Sequence, residues 1–222
     1  MSMLVFNITQ FFLSLNHQLI PLIFKKARFD LKISLFFSDY LVNRKTRYLW
    51  NSFTSSFFSV DVGIAQGSAL SIILSTFFII LIFYIFEKRI KNLKISISFL
   101  LFVNDRLFIS QERSFDNTNA NLFYSYNIIS SLLEQFGLIV KYRKTENFHF
   151  SRLYRIFNIL PLNLSQIDGL ILYSKDTWQY LGFIFNRKLT FHQYIKFYAN
   201  KALSIVKCIK MLENSMLWLL PY

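Results

Sequence analysis

The sequence is poor in the residues that form disulfides, turns and metal sites. Its single cysteine, Cys208, excludes an internal disulfide and offers no thiol pair to a metal. Only five glycines and three prolines occur in 222 residues. Turns therefore lack their usual residues, which is unusual for a mixed α/β protein. The three histidines, His17, His149 and His192, lie far apart and show no metal-ligand spacing.

Acidic residues are also scarce. The chain has 12 Asp and Glu against 25 Lys and Arg, which gives a formal net charge of +13. This excess favours a polyanionic partner such as nucleic acid, because neutralising phosphates releases counterions; a solvated basic surface is the alternative. Hydrophobic residues make up 54% of the chain and 27 residues are phenylalanine. That content is enough for one sizeable core and excludes a disordered chain.

The N-terminus lacks the basic region, apolar run and small-residue cleavage site of a signal peptide, so we predict an intracellular protein of the nucleus or cytoplasm. Residues 69–86 carry no charge over 18 positions, which is the short end of what spans a bilayer, and a hydropathy scan identifies such a run as transmembrane. The two interpretations are a single-pass membrane protein and a helix that is apolar all round because it is buried beneath a sheet.

The spacing of apolar residues predicts the order of the secondary-structure elements. Strands are predicted at 3–7, 46–50, 57–62, 95–103, 107–110, 145–150 and 180–185. The second and third of these, and the fourth and fifth, are expected to pair as hairpins. Helices are predicted at 17–27, Leu31–Leu41, 69–86, 116–136 and 191–212, whereas 151–175 is irregular. This order predicts an α+β fold with helices on one side of an antiparallel sheet.

Residues 63–71, GIAQGSALS, carry the strongest motif of the chain. Gly67 lets the backbone approach a nucleic-acid strand or a nucleotide, and Gln66 and Ser68 offer hydrogen bonds to base, sugar or phosphate. A Gly-Ser helix cap is the alternative explanation for this segment alone. The segment resembles the QGSPLSP motif of reverse transcriptases, which likewise precedes a long apolar helix.

Four further segments resemble reverse-transcriptase motifs and follow the order that the family has. Residues 6–12, FNITQFF, with SLNH at 14–17, resemble the first catalytic strand. Residues 101–105, LFVND, resemble the F/Y-x-D-D hairpin tip, and GL at 137–138 with KTE at 144–146, then WQYLGF at 178–183, resemble downstream motifs. Over almost its whole length the chain resembles the RNA-directed DNA polymerase domain of a non-LTR, LINE-type retrotransposon, most like fungal elements, as a partial and degenerate copy.

This resemblance implies a right-hand polymerase palm, an antiparallel sheet with helices packed on one face, followed by the start of the thumb. Residues 1–175 are expected to form the palm with remnant finger elements, and 176–222 the palm-to-thumb strand and first thumb helix. Most of the fingers and thumb are expected to be absent. The run at 69–86 is then the core helix, which disfavours a membrane span. The implied partners are an RNA template and a DNA primer, without a small-molecule cofactor.

In this family three aspartates hold two Mg²⁺ ions, which clamp the attacking and leaving oxygens as a nucleotide joins the primer. The matching positions are Asn7, Asn104 and Asp105, so Asp105 is the one expected metal ligand that remains. Asparagine offers one neutral oxygen and an NH₂ group that repels the cation. Each lost contact costs several kcal/mol at an effective dielectric of about 20, and every ~1.4 kcal/mol is tenfold in rate. We therefore predict that the chain neither binds Mg²⁺ productively nor polymerises.

Two other positions match the family in kind. Phe12 lies where an aromatic gate excludes a ribose 2′-hydroxyl, and Lys144 lies where a cation or acid serves the leaving pyrophosphate; a solvated lysine is the alternative for Lys144. Arg106 and Leu13 replace an expected glycine and proline. These two replacements and the two asparagines each follow from single G-to-A or C-to-T changes in the coding DNA. We therefore hypothesise that the chain is a decayed copy. Coding DNA that is not AT-rich would contradict this hypothesis. A non-catalytic nucleic-acid-binding protein is the alternative function.

Overall fold

The computed structural model describes residues 1–102, 105–151, 162–163, 171–172, 175 and 177–217. The strands in these residues are β1 (Ser2–Asn7), β2 (Lys45–Thr46), β3 (Leu49–Trp50), β4 (Phe53–Thr54), β5 (Phe58–Ser59), β6 (Ser98–Phe102), β7 (Asp105–Ser110), β8 (Glu146–His149), β9 (Leu162–Asn163), β10 (Ile171–Leu172), β11 (Thr177–Tyr180) and β12 (Phe183–Asn186). The α-helices are α1 (Leu19–Lys26), α2 (Leu31–Leu41), α3 (Ala69–Asn92), α4 (Phe115–Gln135) and α5 (His192–Leu217). Short 3₁₀ helices lie at Phe11–Leu13 and Tyr142–Lys144. The predicted mixture of helices and antiparallel strands is confirmed.

The central sheet has the strand order β6-β7-β1-β8. Strand β7 pairs antiparallel with both β1 and β6, and its register places Leu4 opposite Phe108 and Asn7 opposite Asp105. Residues that are directly opposite share a face, and successive residues of a strand alternate between faces. Leu4 and Phe108 are fully buried on the inner face. Asn7 and Asp105 therefore lie on the other face, at the end of the sheet.

Helices α3 and α4 cover the inner face of the sheet. The Phe86 ring of α3 stacks on Phe108 with 5.1 Å between centroids. The Tyr126 ring of α4 meets Phe6 edge-on at 5.6 Å. All four side chains are buried, and such aromatic pairs add about 0.5–1.5 kcal/mol beyond the burial of their surface. The wealth of phenylalanine in the sequence is thus used largely in this core.

Helix α3 is long and apolar enough to cross a membrane by length and composition, and no other helix of the described residues is. Within its most apolar 18-residue window 44% of the residues are buried. One side of the helix fills the core through Leu74, Phe78, Ile79, Ile82, Phe83, Phe86 and Ile90. The predicted core helix is therefore present, and its outer side remains exposed at Ile72, Ile80 and Tyr84.

Helix α4 shows why local sequence is sufficient to predict an element. Ser114 caps its N-terminus by accepting a hydrogen bond from the Asn117 backbone N–H at 3.1 Å. The apolar residues spaced by four, three and four positions are all fully buried: Leu122, Tyr126, Ile129 and Leu133. Gly137 follows the helix with a φ of 74°, the left-handed conformation in which glycine commonly ends a helix.

Two predicted β segments differ in the structure. Residues 46–50 and 57–62 pair only in part: β2 pairs with β5, and β3 makes its own short hairpin with β4. Residues 180–185 were predicted as one strand, and this is wrong, because Leu181 and Gly182 form a turn between β11 and β12. Both turn residues have positive φ, 48° and 85°, as tight hairpin turns with right-handed strand twist require.

The described residues form two compact units. The first contains 1–147, 162–163 and 171–172, and the second contains 148–151, 175 and 177–217. In the second unit the Trp178 ring stacks on Tyr180 and Phe185, and the Tyr198 hydroxyl of α5 donates to the Gly182 carbonyl at 2.7 Å. The division predicted between 175 and 176 stays a prediction.

Candidate functional site

Two of the predicted catalytic positions meet at the end of the central sheet. Asn7 closes β1 and Asp105 opens β7, and the two are register partners across the antiparallel pair. Opposite residues of such a pair have Cβ atoms about 4.5–5.5 Å apart on the same face, so the amide and the carboxylate lie side by side. Both residues are half-buried. Asn104, the third predicted position, lies outside the described residues.

The segment that follows α4 runs beside the end of β1. The Thr9 N–H donates to the Ile139 carbonyl and the Lys141 N–H donates to the Asn7 carbonyl, each at 2.7 Å. This places the 3₁₀ turn Tyr142–Lys144 next to Asn7. The predicted site residue Lys144 is exposed there. The turn that carries this cation is thus bonded to the end of β1.

The loop that carries the Gln-Gly-Ser motif is tied to the segment after β1. The Ile64 N–H donates to the Phe12 carbonyl and the Gly63 N–H to the Leu15 carbonyl, each at 2.7 Å. The His17 ring nitrogen Nε2 is bonded to the Gly63 carbonyl at 2.5 Å. These three bonds fix the loop at the end of the sheet where β1 finishes. The first two predicted motifs therefore converge although about 50 residues separate them.

The motif residues themselves stay accessible. Gln66 and Gly67 are exposed, and a Cβ at Gly67 would meet no atom within 4 Å. The φ of Gly67, 97°, is one that glycine adopts readily. Ser68 stands at the N-cap of α3 but its hydroxyl makes no capping bond; it lies 3.5 Å from the Tyr40 hydroxyl. The helix-cap explanation of this motif therefore does not account for the Ser68 side chain.

Phe12 lines a cavity of about 290 Å³ on the face of the sheet that α3 covers, together with Phe11, residues of α3 and Arg106. Sequence reasoning noted Arg106 only as a replacement for glycine. It is fully buried, because its register partner is Phe6 and it therefore faces the helices. Its Nη1 donates to the Asp105 carbonyl at 3.0 Å, and its guanidinium lies 5.3 Å from the centroid of the Phe11 ring. Strand alternation next to the hairpin tip was the signal that could have revealed this position.

The side chains at this end of the sheet do not match a site for two Mg²⁺ ions. Within the described part of the chain, no group of three or more His, Cys, Asp or Glu side chains is placed to hold a metal. At the site itself one carboxylate, that of Asp105, stands beside the Asn7 amide. Mg²⁺ prefers several charged oxygens in octahedral geometry, so this pair supplies too little negative charge for two dications. The arrangement instead combines hydrogen-bonding groups with exposed cations.

No protein-family model and no curated protein matches the chain. Among solved structures it is similar to apo telomerase from Candida tropicalis truncated from its C-terminal domain, with a TM-score of 0.50 and 16% identity over 86% of this chain and 34% of that one. It is also similar to telomerase from Candida albicans in complex with the TWJ fragment of telomeric RNA, with a TM-score of 0.47 and 15% identity over 83% and 30% of the two chains.

The second of these TM-scores is too low to carry an argument. The chain spans about a third of the telomerase structures that it matches. At 16% identity the first likeness shows the fold alone. The mixed α/β arrangement, with its antiparallel sheet and helices, is that of a reverse-transcriptase-like, polymerase-palm-like fold.

Proposed function

We propose that this chain is the remnant of a retrotransposon reverse-transcriptase domain of the non-LTR type, which binds nucleic acid and no longer polymerises. The observation that carries the proposal is the pairing of Asn7 with Asp105 at the sheet end to which the Gln-Gly-Ser loop is tied. In a reverse-transcriptase-like fold this sheet end corresponds to the catalytic metal site, because the family's metal-ligating aspartates occupy the matching positions.

The loss of polymerisation follows from charge. Two-metal catalysis requires carboxylates that offset the charge of two dications. With Asn7 and Asn104 in place of aspartates, the site is two negative charges short. Each missing charge weakens metal binding by several kcal/mol at an effective dielectric of about 20, and rates fall tenfold for every ~1.4 kcal/mol. Asp105 alone leaves both the attacking and the leaving oxygen without an adequate metal clamp.

Nucleic-acid binding rests on the net charge of +13 and on the accessible polar groups of the site. Gln66 and Gly67 are exposed on the tied loop, and Lys144 is exposed next to Asn7. These groups suit the phosphates and sugars of an RNA template and a DNA primer. The affinity for a short RNA is expected to fall steeply between low and moderate salt. A salt-independent affinity would count against binding through phosphates.

Primer extension with Mg²⁺ tests the catalytic half of the proposal. The unaltered chain is compared with the double variant Asn7→Asp plus Asn104→Asp, on the same RNA template and DNA primer. We expect no extension by the unaltered chain and gain of extension by the double variant. Adding Asp105→Asn to the double variant is the matched control and should abolish the gain. Robust extension by the unaltered chain would overturn the proposal.

A further inference from the structure

We propose that the end of β1 around Asn7 is a phosphate-binding site that works without a metal ion. This inference rests on the proposed nucleic-acid-binding function and names the chemistry of that site. The mismatch between the side chains present and a two-metal site is its starting point. The same sheet end that lacks carboxylates for Mg²⁺ carries the cations and N–H donors that hold phosphate directly.

The balance of charge at this sheet end is positive. Lys141, Arg143 and Lys144 are all exposed on the segment that is bonded to the end of β1. Two carboxylates belong to the neighbouring strands: Asp105, opposite Asn7, and Glu146, which opens β8. The segment thus carries three cations, whereas these two strand residues supply two carboxylates. A carboxylate added at position 7 would offset the excess.

Main-chain hydrogen bonds hold the segment that carries these cations beside β1. The position of the segment therefore does not depend on the conformations of the lysine and arginine side chains. The Lys141 N–H donates to the Asn7 carbonyl at 2.7 Å, and the Lys144 N–H donates to the Lys141 carbonyl at 3.0 Å. These bonds close the 3₁₀ turn directly beside Asn7. The exposed lysine and arginine side chains therefore start from a segment that is bonded to the last residue of β1.

Asn7 is neutral, so it repels an anion less than an aspartate at this position would. Its amide group carries two N–H donors, which a carboxylate lacks. Charge-assisted hydrogen bonds from lysine and arginine to phosphate are about twice as strong as neutral ones, and arginine binds phosphate through two parallel bonds. Phosphate oxygens are therefore the ligand class that this set of donors recognises.

The phosphate could belong to a nucleic-acid backbone or to a free nucleotide, so two probes are needed. Inorganic pyrophosphate reports on the site alone, and a short fluorescein-labelled RNA reports on the backbone. Binding of each to the full chain is measured in EDTA and in Mg²⁺ at fixed ionic strength. We expect pyrophosphate to bind in EDTA and to compete with the RNA. Mg²⁺ should leave the affinity of pyrophosphate unchanged or lower it.

Two matched double variants locate the site. Lys141→Gln with Lys144→Gln should weaken pyrophosphate about tenfold, because two charge-assisted contacts are lost. Lys91→Gln with Lys94→Gln removes the same charge from exposed lysines at the end of α3, and should leave pyrophosphate affinity unchanged. Equal weakening by both pairs would show binding by net charge alone and would overturn the inference.

A third variant tests the sign of the site. Asn7→Asp should weaken pyrophosphate in EDTA and make its binding depend on Mg²⁺. Binding of pyrophosphate by the unaltered chain that requires Mg²⁺ would overturn the inference. RNA binding without any pyrophosphate binding would also overturn it while the proposed nucleic-acid function stands. Absence of RNA binding at low salt would instead remove the proposed function itself.

Discussion

At the scale of single residues, the site depends on which side chains face each other across β1 and β7. Asn7 is opposite Asp105 and points away from the core, whereas Arg106 is one residue further along β7 and points into it. Two successive residues of β7 therefore differ: Asp105 is half-buried on the outer face, whereas Arg106 is fully buried on the inner face. The chemistry of the site follows from this alternation.

Among the described glycines, Gly63 is the one at which an added side chain would collide with backbone atoms. A Cβ there would lie 2.8 Å from the Leu13 carbonyl oxygen, and its φ is +87°. Gly67 has a φ of +97° but open space around it. We expect Gly63→Ala to lower the free energy of unfolding by about 1–3 kcal/mol more than Gly67→Ala. Urea unfolding measures both, and equal losses would show that the loop is not held against Leu13.

Arg106 offers a second test at this scale. Its side chain is fully buried against the Phe11 ring, and removing a guanidinium from water costs several kcal/mol. Its Nη1 also donates to the Asp105 carbonyl, so both variants below lose that bond. We expect Arg106→Met, which keeps a similar volume, to lower the free energy of unfolding less than Arg106→Ala, which enlarges the cavity beside it. Equal losses in thermal unfolding would contradict this account.

At the scale of elements, local and distant information contribute differently. Helix α4 and strand β1 lie where apolar spacing predicts them, because their buried residues repeat at the period of the element. The hairpin of β11 and β12 was missed because Leu181, an apolar residue, takes a left-handed turn position and hides the turn. The hydrogen bond from the Gly63 N–H to the Leu15 carbonyl depends on contact between distant segments, and so does the burial of Arg106. Apolar spacing along the chain does not encode such contacts.

Two helices of the first unit that have serine at the N-cap provide a matched pair for a test. Ser114 caps α4 through its side chain, whereas Ser68 stands at the N-cap of α3 without a capping bond. We expect Ser114→Ala to lower the free energy of unfolding by about 1 kcal/mol, and Ser68→Ala to change it by a few tenths. Chemical denaturation measures both. A larger loss from Ser68→Ala would assign its hydroxyl to structure and remove it from the proposed ligand-binding loop.

At the scale of the whole molecule, stability should depend on pH through His149. Burial, with the positive charge of Arg187 nearby, lowers the pKa of His149 from 6.5 to about 4. Between these two pH values His149 is protonated in the unfolded chain and neutral in the folded chain. The free energy of unfolding therefore decreases as pH falls from about 6.5 to 4. The full loss is about 3–3.5 kcal/mol. Thermal unfolding from pH 7 to 4 should show it, and His149→Gln should flatten the profile whereas the exposed His192→Gln should not.

The whole molecule also shows how far its sequence leads toward function. Motif order predicts a reverse-transcriptase-like fold, and the telomerase likeness supports that fold at low identity. The positions of Asn7, Asp105 and Lys144 could be predicted from motifs because each motif lies at the end of a regular element. The nearness of Lys141 and Arg143 to this sheet end could not, because their segment comes next to Asn7 through the bond from the Lys141 N–H to the Asn7 carbonyl.

The central claim is that the chain retains a reverse-transcriptase-like nucleic-acid site without its catalytic metals. Its most direct test measures RNA binding and Mg²⁺-dependent primer extension on one preparation of the unaltered chain. The account predicts salt-sensitive RNA binding that does not require Mg²⁺, together with no extension of the primer. Mg²⁺-dependent extension by the unaltered chain would contradict it.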